Sequence, residues 1–279
     1  MKLRNGEALS LLQCVPFAAV HVATLGVLLV RFRWWYPLLA LTLYALRMFF
    51  VTAGYHRYFS HRTYKTTRAF QFLLAVMAES SMQKGVLWWA AHHRHHHRFS
   101  DQLDDIHSPT RKGFWWSHVG WILCKRYHET RAELVPDLAR YPELRWLNRN
   151  HMVPGITMAV ILFLAGGMSA FLWGFCVSTV LLWHGTFTIN SLCHVFGRRR
   201  YATLDTSRNS LILSLLTMGE GWHNNHHHYM SSVRQGFFWW EIDATYYILK
   251  ALSWVHVVWD LKMPPRALLY PTPAEQAAA

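Results

Sequence analysis

The sequence predicts an all-α integral membrane protein. Four transmembrane helices in two hairpins are expected to carry a cytosolic helical cap that holds a His-rich metal site. Three observations predict this. Ala8–Val30 is an uncharged run of 23 residues, and residues 152–194 form a second stretch without Asp, Glu, Lys or Arg; each is long enough to cross a bilayer at least once. Between them, residues 56–151 carry 15 Lys/Arg against 8 Asp/Glu, the charge bias of a cytoplasmic face. The chain also holds 19 His, most of them in separated clusters beside the ends of the apolar runs.

The first span is read over 8–30 and the second over 36–55, joined by Arg31-Phe-Arg-Trp-Trp-Tyr-Pro37. The first run is too long for the apolar part of a signal peptide. His21 within it is expected to pack or bridge rather than ligate, and Arg47 in the second span to face the bundle interior, because a charge in lipid is costly. The second helix runs into His56 and His61. Five residues of regular helix turn through about 500°, leaving the two rings about 140° apart. The helix is therefore expected to end or bend between them, just outside the membrane.

Ala69–Ala91 reads as one interfacial or cytosolic helix, interrupted in pattern by Glu79, Gln83 and Lys84. It delivers the next His cluster. Residues 101–151 are polar, with Trp115, Trp116 and Trp121 as interface anchors. Arg131–Arg149 reads as a solvated helical segment interrupted by Pro136 and Pro142. The second hairpin, with spans over 152–168 and 170–190, turns near Gly166-Gly167-Met168-Ser169, and its last helix sets Asn190 and His194 one turn apart on one face. Residues 195–270 return to the cytosolic side. They contain Arg198-Arg199-Arg200, a patch for lipid headgroups or an electron donor, and an aromatic belt at Phe237-Phe238-Trp239-Trp240. Tyr246–Leu261 reads as amphipathic and surface-lying, and residues 271–279 as a disordered tail. Residues 1–270 thus form a single membrane domain, multi-pass in a cell inner membrane. Arg31 and Arg33 fall on its far side, a local exception that the surplus of the central region outweighs. The net charge of +13 could point to nucleic acid, but no groove-reading or base-stacking module accompanies it, so no nucleic-acid partner is expected. Four Cys without a CxxC pair read as reduced thiols.

The chemistry lies in the His clusters. In His92-His93-Arg94-His95-His96-His97, adjacent protonated rings would repel, and a metal gives them a reason to stay neutral. Two registers have the i, i+3, i+4 spacing of one helix face: His93, His96, His97 and His92, His95, His96. The pattern recurs at His223, His226 and His227, accompanied by the pairs His56/His61 and Asn190/His194. Several chain segments are thus expected to converge on one polynuclear site. Imidazole suits Zn, Cu, Fe or Ni, so ligand type alone does not choose the metal.

HxxxxH, HRxHH and HNxHH stand here in that order. They lie in the contexts Thr52-Ala53-Gly54-Tyr55-His56-Arg57, Ser60-His61-Arg62, Phe99-Ser100-Asp101, Ser117-His118-Val119-Gly120-Trp121 and Gly219-Glu220-Gly221. On these residues, scattered between about 44 and 243, the chain resembles the membrane fatty-acid desaturases, and within them the acyl-CoA (stearoyl-CoA-type) branch. The resemblance implies a register and a ligand set: His56, His61, His93, His96, His97, His194, His223, His226 and His227, with Asn190 acting through water. Nine imidazoles exceed one ion's coordination, and the family implies two irons with O2 as co-substrate. It also implies removal of two hydrogens from adjacent carbons of a saturated acyl chain, giving a cis double bond near the 9,10 position of an acyl-CoA. Tyr44 matches the end of the family's chain pocket, Lys125 and Arg126 its basic contacts to CoA phosphates, and Trp121 a further substrate contact.

An unactivated methylene has no acidic proton and no leaving group, so the cofactor must do the hard chemistry while the protein fixes geometry. Asp101, Asp104, Asp105 and Glu220 are expected to hold the outer nitrogens of ligating rings, and His92, His95 and His228 to stand outside the ligand set. Two places depart from the family pattern: Ile106 precedes His107 where Pro is usual, and Ala91-His92 replaces Arg-Asp. With no GxGxxG, CxxCH or His-Pro-Gly-Gly motif, electrons are expected from a separate ferredoxin or cytochrome-b-type donor. The competing readings are a related di-iron hydroxylase of alkanes or lipids, a phospholipid-acyl desaturase, and a metal transporter. The last would place its ligands near the bilayer midplane, whereas these stand at helix ends.

Overall fold

Helix α1 (Leu11–Thr24) continues as a 3-10 stretch to Leu29, and α2 (Trp35–Phe50) follows after a short turn. The computed structural model describes residues 7–270; the expected tail at 271–279 lies outside them. Apolar side chains such as Leu12 on α1 and Leu28 and Leu29 on its 3-10 extension stand exposed, as they must where the solvent is lipid.

Where the second span meets the first His pair, the helix ends between His56 and His61, as expected: α2 widens into a π-helix, Val51–Ser60, and His61 caps its C-terminus. The His61 N–H donates to the His56 carbonyl at 3.2 Å, an i→i+5 bond that brings residues five apart to nearly one face. The HxxxxH spacing that a regular α-helix would splay is thereby matched. Gly54 permits the close pass of this segment over α3: a Cβ there would lie 3.3 Å from the Leu74 carbonyl oxygen.

The expected single helix over Ala69–Ala91 is two helices, α3 (Arg68–Glu79) and α4 (Val86–Phe99). Between them Met82 and Lys84 take positive φ (60° and 72°), which breaks the helix. Glu79 from the end of α3 then accepts from the Val86 N–H at 2.9 Å and so starts α4 in a new direction. Pro136 and Pro142 do not interrupt a helix; each occupies the first turn of one (Pro136–Ala139 and α5, Pro142–Arg149), where a missing N–H costs nothing.

The third apolar stretch runs from Val153 to His194, 42 residues, as α6 (Val153–Ala170), a π-helical turn and α7 (Ser178–Ser191). Gly166 and Gly167 leave helical geometry, Gly167 at φ 63°, close to the expected turn. Gly174 then lies against Leu162, at 3.2 Å from its methyls for an added Cβ, so the second limb folds back along the first. Among the described residues, three helices are long and apolar enough to cross a membrane: Leu11–Leu29, Trp35–Ser60 and Val153–His194. Arg47 is fully buried in the bundle, as expected. It donates to Thr179 Oγ1 (2.9 Å), Ser178 Oγ (2.5 Å) and the Ser80 carbonyl (3.2 Å), so hydroxyls and carbonyls disperse its charge. His21 bridges as expected, its Nε2 lying 3.0 Å from His184 Nε2.

After the last limb come α8 (Leu211–Leu216), α9 (His223–His228) and α10 (Ala244–Trp254). Tyr246–Leu261 is not one surface helix: α10 ends at Trp254, and Val258–Trp259 pairs antiparallel with Lys65–Thr66. The core lies where the π-helix, α3, α4 and this C-terminal region meet, around Tyr55, Phe59, Leu74, Ala90 and Leu249. Arg57 pins the π-helix to the C-terminal region: it lies 3.0 Å from Asp243 and 3.2 Å from Glu220, all buried.

Candidate metal centre and acyl cavity

The nine predicted imidazoles meet. Five of them, His56, His61, His93, His97 and His226, bring one ring nitrogen each to within 4.8 Å of one another, and His96, His194, His223 and His227 do the same as a second group. Helical geometry explains the division. On α4, His93 and His97 are i, i+4 neighbours and serve the first group, while His96 turns to the second. On α9, His223 and His227 serve the second and His226 the first. The π-helix adds His56 and, at the residue that caps its C-terminus, His61 to the first group, and the 3-10 turn closing α7 adds His194 to the second. The groups adjoin, with His97 and His227 ring centroids 4.4 Å apart.

Four carboxylates fix the rings. The Nδ1–H of His96 donates to Asp105 (3.0 Å), of His194 to Asp101 (3.3 Å), of His227 to Asp205 (2.7 Å), and of His56 to Glu220. With Nδ1 as donor, Nε2 carries the lone pair and points inward. Asp101, Asp105 and Glu220 fill the role the sequence suggests for them. Asp104 does not: its backbone carbonyl, not its carboxylate, accepts from His95 Nε2 at 2.9 Å. Asp205 takes that place, and no spacing in the sequence marks it, because it stands 22 residues from His227. Burial raises the Asp105 and Asp205 carboxyls, but their His partners outweigh it and hold both well below the usual carboxylate range.

The site fits cations. His56 Nε2 and His97 Nε2 both lie 3.0 Å from His226 Nε2, His61 Nε2 lies 2.8 Å from His93 Nε2, and His194 Nε2 lies 3.1 Å from His223 Nε2. His227 Nε2 is buried with no hydrogen-bond partner among the described residues. Burial first, and neighbouring imidazoles second, push His61, His93, His97, His223 and His226 well below the ordinary histidine range. These rings are neutral and face one another with lone pairs, an arrangement that cations relieve. His92, His95 and His228 stand outside both groups, His228 stacked on Tyr201 at 3.9 Å.

Two cavities reach the centre. The larger, about 250 Å³, is apolar and runs between α1, α4 and α7, lined by Phe17, Trp88, Trp89, Trp121 and Trp183 and reaching His93. The smaller, about 40 Å³, touches His56, His93, His96 and His223 and ends against Met48 and Thr217. Asn190 borders both. Of the residues expected to meet substrate, the fold brings Trp121 to the cavity, stacked on Trp88 at 5.5 Å. Tyr44 borders neither cavity. It lies one turn of α2 beyond Met48, with its hydroxyl donating to the Leu216 carbonyl at 2.5 Å. Lys125 and Arg126 are exposed outside both cavities, Arg126 3.9 Å from Glu7. Trp88, Trp89 and Phe17 are not singled out by the sequence, since an aromatic on an apolar helix carries no mark of the cavity it lines.

Residues 32–258 match the fatty acid desaturase family. The chain is 35% identical over 237 residues to an acyl-CoA 5-desaturase of Anemone leveillei, covering 84% of this chain and 74% of that one. It is 38% identical over 220 residues to the Delta-9 acyl-lipid desaturase 2 of Arabidopsis thaliana, covering 78% and 71%. It is 35% identical over 262 residues to the sn-1 stearoyl-lipid 9-desaturase of Synechocystis sp., covering 91% and 80%.

Proposed function

The chain belongs to the fatty acid desaturase family, whose members are oxidoreductases acting on acyl chains, and from that premise we propose that it is a di-iron, O2-dependent acyl desaturase. It would introduce a cis double bond near the 9,10 position of a saturated chain carried as a thioester or lipid ester. The observation that carries this reading is the juxtaposition of two imidazole groups with the apolar cavity that touches His93.

Bound by the two His groups, two irons would supply O2 activation and the hydrogen-abstracting power that no side chain has. The overall conversion consumes O2, two electrons and two protons, removes two hydrogens from adjacent carbons and yields two waters. The chain's own residues do the rest. Asp101, Asp105, Asp205 and Glu220 hold their rings in the tautomer that offers Nε2. Trp88, Trp89 and Trp121 hold the acyl chain and exclude water from its reacting methylenes. Asn190, at the border of both cavities, orients a water toward the centre.

The second limb of the Val153–His194 stretch, Gly167 onward, serves as a fourth crossing. With that crossing all four His clusters stand at the cytoplasmic rim, where a separate ferredoxin or cytochrome-b-type protein delivers electrons to the basic face. Acyl profiling of a host expressing the wild type and His96→Ala tests the reaction. A new cis-unsaturated acyl species, absent with the variant, is expected; an alcohol in its place, or an unchanged profile with the wild type, would overturn it.

A further inference from the structure

One group of basic side chains outside the metal centre also faces the large cavity. Lys84, His128 and His151 border it beside the N-terminus of α4. Gln13 reaches them from α1, its carboxamide oxygen directed at Lys84 Nζ and His128 Nε2 and its NH2 at the Ile122 carbonyl. Burial lowers the Lys84 ammonium to about 8, and burial with the neighbouring Lys84 and His128 lowers His151 to about 4. No carboxylate is ion-paired with Lys84, His128 or His151 among the described residues; the acid that acts on His128 is Glu129, its chain neighbour. Lys84 is thus the one cation of the group at neutral pH, half-buried without a counter-ion, and pays a desolvation cost that a bound anion would offset, while the neutral His128 and His151 rings can each donate an N–H to that anion.

Position along α4 decides which anion fits. Trp88, Trp89, His92 and His93 line the cavity in succession from Lys84 toward the metal groups. From Val86 to His93 the helix rises about 10 Å, the reach of roughly eight carbon–carbon bonds in an extended zigzag, each about 1.5 Å long but advancing only about 1.25 Å. A chain whose ninth and tenth carbons lie at the His groups therefore has its carboxyl end at Lys84. An anion bound there must sit within a few bonds of the acyl ester. The phosphate of a glycerophospholipid does, one glycerol away. The diphosphate of CoA lies farther off by the whole pantetheine arm. The cavity wall points the same way: Leu12, Pro16, Phe17 and Val20 of α1 line it, and this single, largely exposed helix is what separates it from the bilayer.

We propose that Lys84, His128 and His151, with Gln13, form a phosphate-ester site that binds the headgroup of a membrane glycerophospholipid while its acyl chain fills the cavity. This rests on the desaturase reading and names the carrier.

The test uses the fluorescence of the cavity tryptophans in the purified full-length protein in detergent. The probes carry a stearoyl chain dibrominated at mid-chain, as phosphatidylglycerol, as diacylglycerol and as the CoA thioester. The phospholipid is expected to quench saturably and to be displaced by its unbrominated form. Lys84→Ala is expected to weaken it about tenfold or more, and Lys84→Arg to restore most of the loss. Lys125→Ala should leave it unchanged, and unaltered metal content shows that each variant is folded. Quenching by diacylglycerol as tight as by the phospholipid overturns the phosphate site. So does quenching by the CoA thioester alone, lost in Lys125→Ala and Arg126→Ala. If no brominated acyl compound quenches, the cavity is no acyl site and the desaturase reading fails with it, a separate result.

Discussion

Replacing Asp205 by Asn tests how the second His group is held. In the wild type, Asp205 Oδ2 accepts from His227 Nδ1 at 2.7 Å, and Oδ1 accepts from the Ser207 N–H at 2.9 Å and the Thr203 hydroxyl at 3.0 Å. In Asp205→Asn the carboxamide would keep its oxygen toward Ser207 and present its NH2 to His227. The ring must then accept at Nδ1 and carry its proton on Nε2, aimed into a group of only four imidazoles. Losing the partner of a ligating ring typically costs 10–100-fold in metal affinity. With one ligand in four turned into a proton donor, the upper end is expected, about 100-fold or about 2.7 kcal/mol. The assay is iron per chain, by elemental analysis after equilibration with increasing chelator. On the di-iron reading proposed above, metal of the second group should be lost at a chelator concentration about 100-fold lower than in the wild type, while metal of the first group stays. Asp104→Asn is the control, since its carboxylate holds no ring. Iron retention in Asp205→Asn equal to the wild type would refute the reasoning.

Three further outcomes are expected. Glu79 is raised from 4.5 to about 8, chiefly by burial. The folded state thus keeps a proton that the unfolded state releases, and stability is lost as pH rises from about 4.5 toward about 8, at up to about 1.4 kcal/mol per pH unit. Glu79→Gln keeps an acceptor for the Val86 N–H and should flatten this fall, measured as melting temperature at pH 6 and pH 8; parallel losses in both proteins would count against it. His21→Ala leaves His184 Nε2 without its 3.0 Å partner and should lower stability by about 1–3 kcal/mol, read from thermal unfolding in detergent. Tyr44→Ala removes the ring below Met48, beside Gly185, and should extend accepted chains. Unchanged chain-length preference by product chromatography would show that Met48 alone closes the pocket.

Much of the imidazole cluster was legible in the sequence because covalent spacing acts locally. Residues at i, i+3 and i+4 share a helix face whatever surrounds the helix, so spacing marked His223, His226 and His227 and left two registers at His92–His97, between which the family resemblance chose His93, His96 and His97. The long apolar runs did so too, since few soluble folds tolerate them. Local signals also misled where a competing contact won. Ala69–Ala91 looked continuous, but positive φ at Met82 and Lys84 and the hold of Glu79 on Val86 made two helices of it. Lys125 and Arg126, which match a basic pair in the resembling family, stand exposed outside both cavities.

By itself, then, the chain determined which side chains can bind metal and which stretches seek lipid, because both follow from chemistry within a few turns of backbone. Only the tertiary structure decided how nine imidazoles divide into five and four, that Asp205 rather than Asp104 steadies His227, and that Lys84 meets Gln13 and His128 at the end of an apolar cavity. Those partners stand tens of residues apart, and their meeting depends on how α1, α4 and α7 pack, which no interval along the chain encodes.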